Sequence, residues 1–121
     1  MHSRHSTLIC PRVYIKDKFH FPFFNLSLGY LGSYLRQRCH KVKIIDALSE
    51  SGAGVVKIKS NGNIFYQRGI SDEEIIRLIP PDTDFIGITV PSNPNAAVIH
   101  RLVPMIKKKY DEAPIVVRFY F

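Results

Sequence analysis

Apolar positions in this chain follow two periods in alternation. Leu26, Tyr30, Leu31, Tyr34 and Leu35 recur at helical spacing, and Gly29 and Gly32 leave a shallow groove where such a helix can lie close to a sheet. After a polar break from Arg36 to Lys41, the residues Val42, Ile44 and Ile45 form an apolar run of strand length that closes on Asp46. Thr7 to Cys10 reads as an earlier strand stopped by Pro11, so the unit is βαβ, with parallel strands and a right-handed crossover. Arg12 to Phe24 reads as a long aromatic loop, and Asn25 or Ser27 as the cap of the helix, which ends near Arg38.

Between Ala47 and Gly69 the period changes. Val55 to Lys59 and Ile64 to Arg68 alternate about the turn Ser60-Asn61-Gly62-Asn63, and Asn-Gly between β-rich runs predicts a hairpin. Ser71 to Glu74 is a capping box opening a short helix through Ile75, Ile76, Leu78 and Ile79 to the stop at Pro80-Pro81. Phe85 to Val90 is a buried strand. Asn93 caps a third helix with Pro94 at its first position, and Ala96, Ile99, Val103 and Ile106 form its inner stripe. Pro104 falls inside that helix and should kink it, at a cost of about 3 kcal/mol if uncompensated. Pro114 to Phe121 is a last strand, apolar apart from Arg118.

The succession βαβ, hairpin, αβαβ predicts an α/β fold with a flavodoxin-like (Rossmann-like) doubly wound parallel sheet. The expected order of its main strands is 2-1-3-4, with the hairpin at about 47–69 as an excursion and residues 1–121 as a single domain. Helix one should cover one face, and helices two and three the other. Two consequences follow from that arrangement. The last strand, 114–121, is an apolar edge that invites self-association, and the face carrying helix one lacks a further helix. The pattern therefore predicts a truncated domain, without a fifth strand and the last helices.

Composition changes this picture little. An apolar content of 45% with 12% aromatic residues excludes a disordered chain. The net charge of +7 attracts anionic ligands, but no aromatic residues interleave a basic stripe, so nucleic acid is not the expected partner. The run Lys107 to Lys109 reads as a dipole-matched helix end. Cys10 and Cys39 form neither a disulfide framework nor a metal-ligand spacing, which fits a reducing cytoplasm. The sequence shows no signal peptide or membrane span.

Ligand chemistry in such a sheet belongs at the carboxyl ends of the strands. The segment Thr89-Val90-Pro91-Ser92-Asn93 offers two hydroxyls, an amide and the start of helix three, which together suit a polar or anionic group. Capping by Ser92 and Asn93 is a compatible structural reading. His20, among Phe19, Phe21, Phe23 and Phe24, is a candidate ligand whose ordinary reading is packing, and His40 and His100 read as structural or surface residues. Asp46 stands at a strand's carboxyl end, where capping the following turn is the ordinary role. Gly52-Ala53-Gly54 has no strand directly before it and no helix after it, so it is a connection and not a phosphate loop. Pro11-Arg12 replaces the glycine loop of a dinucleotide site.

Three segments resemble the N-terminal cobalamin-binding domain of B12-dependent radical SAM enzymes: Leu8 to Pro11; Leu28 to Arg36 with His40 to Asp46; and Ile70 to Glu74 with Asp84 to Thr89, extending to Lys107-Lys108-Lys109-Tyr110 and Pro114 to Val117. They occur in the family's order over most of the chain. The resemblance implies a domain that holds a corrinoid between the sheet's carboxyl edge and a separate radical SAM catalytic domain, with Pro11 and Arg12, and Thr89, Val90, Pro91, Ser92 and Asn93, as the cofactor loops. Methyl transfer would belong to the cobalt and the catalytic domain. The chain departs from the family in having Cys39 where glycine is usual and Arg118-Phe119-Tyr120-Phe121 where a glycine pair is usual. The Asp-x-His-x-x-Gly signature is also missing, and Asp17-Lys18-Phe19-His20 has the wrong spacing, so a histidine-ligated cobalt is not expected. No Cys-x-x-x-Cys-x-x-Cys motif is present, so neither an iron–sulfur cluster nor an S-adenosylmethionine site is expected in this chain, which would not be an enzyme by itself. The alternatives are a fragment of the same family that no longer binds cofactor, and a small basic module for nucleotides or nucleic acid.

Overall fold

The computed structural model of the chain describes residues 4–15, 26–38, 40–50, 54–90 and 96–119. Four strands form the main sheet: β1 (His5–Cys10), β3 (Lys41–Asp46), β6 (Phe85–Val90) and β7 (Ile115–Phe119). All neighbours in it are parallel, in the order β3-β1-β6-β7. This is the second, first, third and fourth of the main strands read from the sequence. The helices are α1 (Leu26–Gln37), α2 (Asp72–Leu78) and α3 (Ala96–Lys109).

Side-chain alternation along the central strand decides which helix covers which face. Ile9 joins Ile45, Ile86 and Ile88 in a core closed by Ile75 and Ile79 of the α2 segment and by Ile99, Leu102 and Ile106 of α3. Leu8 and Cys10 point the other way and pack with Val42, Ile44 and Leu35 of α1. Burial on both faces is why the strand segments read as unbroken apolar runs.

α1 meets the sheet through Gly32 and Leu35. A Cβ on Gly32 would lie 2.9 Å from Ile44 Cδ1, so the glycine sets how closely helix and strand approach. That contact turns the helical stripe outward: Tyr30, Leu31 and Tyr34 are 74%, 45% and 51% exposed, and Arg38 stacks on the Tyr34 ring at 4.4 Å. In α3 the buried stripe is Val98, Ile99, Leu102 and Ile106, with the expected Val103 only half-buried. The helix runs on through Pro104, whose ring is on the exposed side. The missing N–H leaves the His100 carbonyl without its intrahelical donor. At the end of α3, Lys107 Nζ donates to the Ala113 carbonyl at 3.1 Å, in keeping with a cationic last turn.

The hairpin forms as expected from β4 (Val55–Ser60) and β5 (Asn63–Arg68), with Asn61 and Gly62 both at positive φ, +49° and +79°, as a two-residue turn of this hand requires. It is not a free excursion, however. β2 (Val13–Ile15), in the segment expected to be loop, pairs antiparallel with β5, Val13 opposite Arg68 and Ile15 opposite Tyr66, which makes a second sheet of order β2-β5-β4. Three residues are too few to show a period, and the partner strand lies far along the chain. Backbone bonds from the Ala47 N–H to the Cys10 carbonyl (2.9 Å) and from the Ile70 N–H to the Ala47 carbonyl (3.0 Å) tie the ends of the two sheets together. No helix among the described residues is long and apolar enough to cross a membrane.

Candidate functional site

The order of the main sheet reverses between β1 and β6. From β1 the chain moves outward to β3 through α1 on one face, and later returns beside β1 as β6, which leads into α3 on the other face. Loops leaving two adjacent parallel strands toward opposite faces open a crevice at the carboxyl edge. The register Ile9 opposite Ile88 carries on to set Cys10 beside Thr89 and Pro11 beside Val90. Of the residues expected at a site, Thr89 and Val90 therefore end β6, and Pro11 and Arg12 directly follow its neighbour β1. Pro91, Ser92, Asn93 and His20 lie outside the described residues, as do Asn25, Cys39, Gly52 and Ala53 of the other sequence readings.

Neither Pro11 nor Arg12 presents a free side chain. Pro11 is fully buried, and Arg12, 5% exposed, turns its guanidinium under α2 to the Asp72 carboxylate, which is also buried. Thr89 is buried at the end of β6. Ser71 caps α2, its Oγ accepting from the Glu74 N–H at 3.2 Å, which makes Asp72 the first helical residue and directs it toward the end of β1. The Glu74 carboxylate itself is engaged by Arg77, so only half of the predicted capping box forms.

Beside the ion pair is a cleft of about 510 Å³ between α2, α3 and β5, lined by Arg12, Asp72, Glu73, Gln67, His100 and Arg101. Burial pushes the Asp72 carboxyl above its ordinary value of 3.8; Arg12 and Arg101 pull it down and Glu73 pushes it further up. A raised folded-state pKa means that the folded chain holds this proton where the unfolded chain has lost it. The stabilising contribution is present at low pH and is lost as pH rises through the folded value. The stability of the native chain minus that of Asp72→Asn should therefore be larger at pH 4.5 than at pH 7 in urea titrations. An equal difference at both pH values would show that burial does not govern this carboxyl.

Asp72, Gln67 and His100 were not legible as site residues. Asp72 looks like any acid in a first helical turn, and its partner lies sixty residues away. Asp46 does what the sequence suggests, accepting from the Leu48 N–H at 3.1 Å and the Ser49 hydroxyl at 3.2 Å to close the turn after β3. Among the described residues no three His, Cys, Asp or Glu side chains are grouped to hold a metal. A larger cleft, about 620 Å³, opens at the opposite, amino edge and contains none of the expected residues. No protein-family model matches the chain, and no similar protein is found among curated sequences or solved structures.

Proposed function

We propose that the chain is a cobalamin-binding module of flavodoxin-like type, which presents a corrinoid to a radical SAM catalytic domain that lies outside this chain. The observation that carries the reading is the strand-order reversal between β1 and β6, with Thr89-Val90 ending β6 and Pro11-Arg12 directly following β1. The polar groups of the cleft beside the ion pair, Gln67, His100 and Arg101, fit a cofactor with an amide-bearing rim. When bound, the corrinoid would supply the methyl-carrying metal. The protein would supply position, with the Pro11-Arg12 backbone, fixed by the buried pair to Asp72, as a rigid wall.

The same pair also favours a second reading, in which the architecture persists without cofactor. The strongest charges at the edge are already committed to each other, which leaves them little to offer a ligand. Hydroxocobalamin separates the two. After mixing and desalting, the chain should carry a corrin absorption spectrum, and Thr89→Arg, which fills the crevice, should lose it. A colourless chain would sink the cobalamin reading and leave the second. Salt-sensitive binding of oligonucleotides by a colourless chain would instead point to a basic nucleic-acid module.

A further inference from the structure

Ser6 is 5% exposed, yet its hydroxyl takes part in no hydrogen bond among the described residues. Two other buried hydroxyls near it are engaged: Thr83 donates to the Pro80 carbonyl at 2.7 Å and accepts from Thr7 at 2.9 Å. Alternation along β1 puts Ser6 on the side of Leu8 and Cys10, toward Leu35 of α1. There it lines the 620 Å³ cleft at the amino edge, beside Phe85, its opposite in register. A buried hydroxyl that opens on a cleft and has no protein partner points to a ligand atom.

The rim of this cleft is divided by charge. The sheet order β3-β1-β6-β7 sets the residues leading into the strands side by side, His40 and Arg4 before β3 and β1, Asp84 and Glu112 before β6 and β7. His40 Nδ1 accepts from the Arg4 N–H at 3.3 Å, so the proton of the neutral ring lies on Nε2, which donates. Asp84 Oδ2 accepts from the His5 N–H at 3.0 Å, which fixes the carboxylate and leaves Oδ1 to accept. Among the described residues neither Arg4 nor Glu112 is in an ion pair. Cations and anions thus occupy opposite halves of one rim.

We propose that the amino-edge cleft binds a short peptide of dipeptide class as its zwitterion. The carboxylate would lie toward Arg4 and His40, the ammonium toward Asp84 and Glu112, and the amide over Ser6. A free α-amino acid holds both charges on one carbon, too close for groups that lead into different strands about 4.8 Å apart. An extended dipeptide separates them by about 7 Å and places polar atoms between, where the floor presents its hydroxyl. The site is at the other end of the strands from the carboxyl-edge crevice and does not depend on a cofactor there.

Glycylglycine titrated into the intact chain tests this, followed by amide chemical shifts in nitrogen-15 spectra. Saturable shifts should centre on Ser6 and Phe85. N-acetylglycylglycine, which lacks the ammonium, and glycinamide-capped glycylglycine, which lacks the carboxylate, should each bind about fivefold more weakly, as loss of one exposed ion pair requires. So should 5-aminopentanoate, which keeps both charges and lacks the amide. Ser6→Ala should abolish the advantage of glycylglycine over 5-aminopentanoate with an unchanged circular dichroism spectrum, and Glu112→Gln should abolish its advantage over the acetylated probe. Absence of saturable shifts at these amides, equal binding of all four probes, or a preference indifferent to Ser6→Ala would overturn the proposal.

Discussion

Asp72→Leu should destabilise the fold by about 3–5 kcal/mol, because it strands the Arg12 guanidinium in a site where both side chains are more than nine-tenths buried. The double replacement Arg12→Met with Asp72→Leu should recover most of that loss, since two apolar side chains of similar volume need no desolvation of charge. Urea denaturation of the three proteins checks it. If the single variant costs under about 1 kcal/mol, or the double is no better than the single, the pair is not the constraint described above. The comparison also bears on function. A double variant that folds well and still takes up hydroxocobalamin would show that the pair serves only as a wall of the crevice.

Gly69→Ala is the second large effect. Gly69 has φ +117°, where side chains are strained, and a Cβ there would lie 3.1 Å from both Cα and Cβ of Arg12 and 3.2 Å from the Ala47 carbonyl oxygen. Two of these are backbone atoms at the junction of the sheets, so no rotamer change relieves the contact. Backbone strain alone costs about 1–3 kcal/mol, and shifting Arg12 adds to it. Gly62→Ala is the control, because its positive φ of +79° faces open space and only the turn conformation suffers. Urea midpoints should fall further for Gly69→Ala than for Gly62→Ala. Equal losses would mean that the junction yields easily and that the small sheet is loosely tied.

The elements legible in the sequence were those whose signal is local and periodic. The four parallel strands, the Asn61-Gly62 turn and the helix opened by Ser71 each announce themselves within a few residues. The strand order was read from the alternation of strands and helices along the chain. What escaped was set by distant partners. β2 becomes a strand only because β5 lies beside it, and Asp72 becomes a buried counter-charge only because β1 ends under α2. The tyrosines of α1 have helical spacing yet face outward, because spacing fixes a common face and not what covers it. At the carboxyl edge, Pro11, Arg12, Thr89 and Val90 could be placed from strand ends alone, but the turning of Arg12 inward could not.

The position of β1 at the centre of the sheet has a consequence for synthesis. Leu8 finds Ile44 on one side after a single helix, but its other neighbour, Gly87, comes much later in the chain. At ordinary translation speeds of about 5–20 residues per second that interval lasts a few seconds. Throughout it the nascent chain carries a two-stranded ribbon whose inner margin, later its most protected, is open to any passing strand.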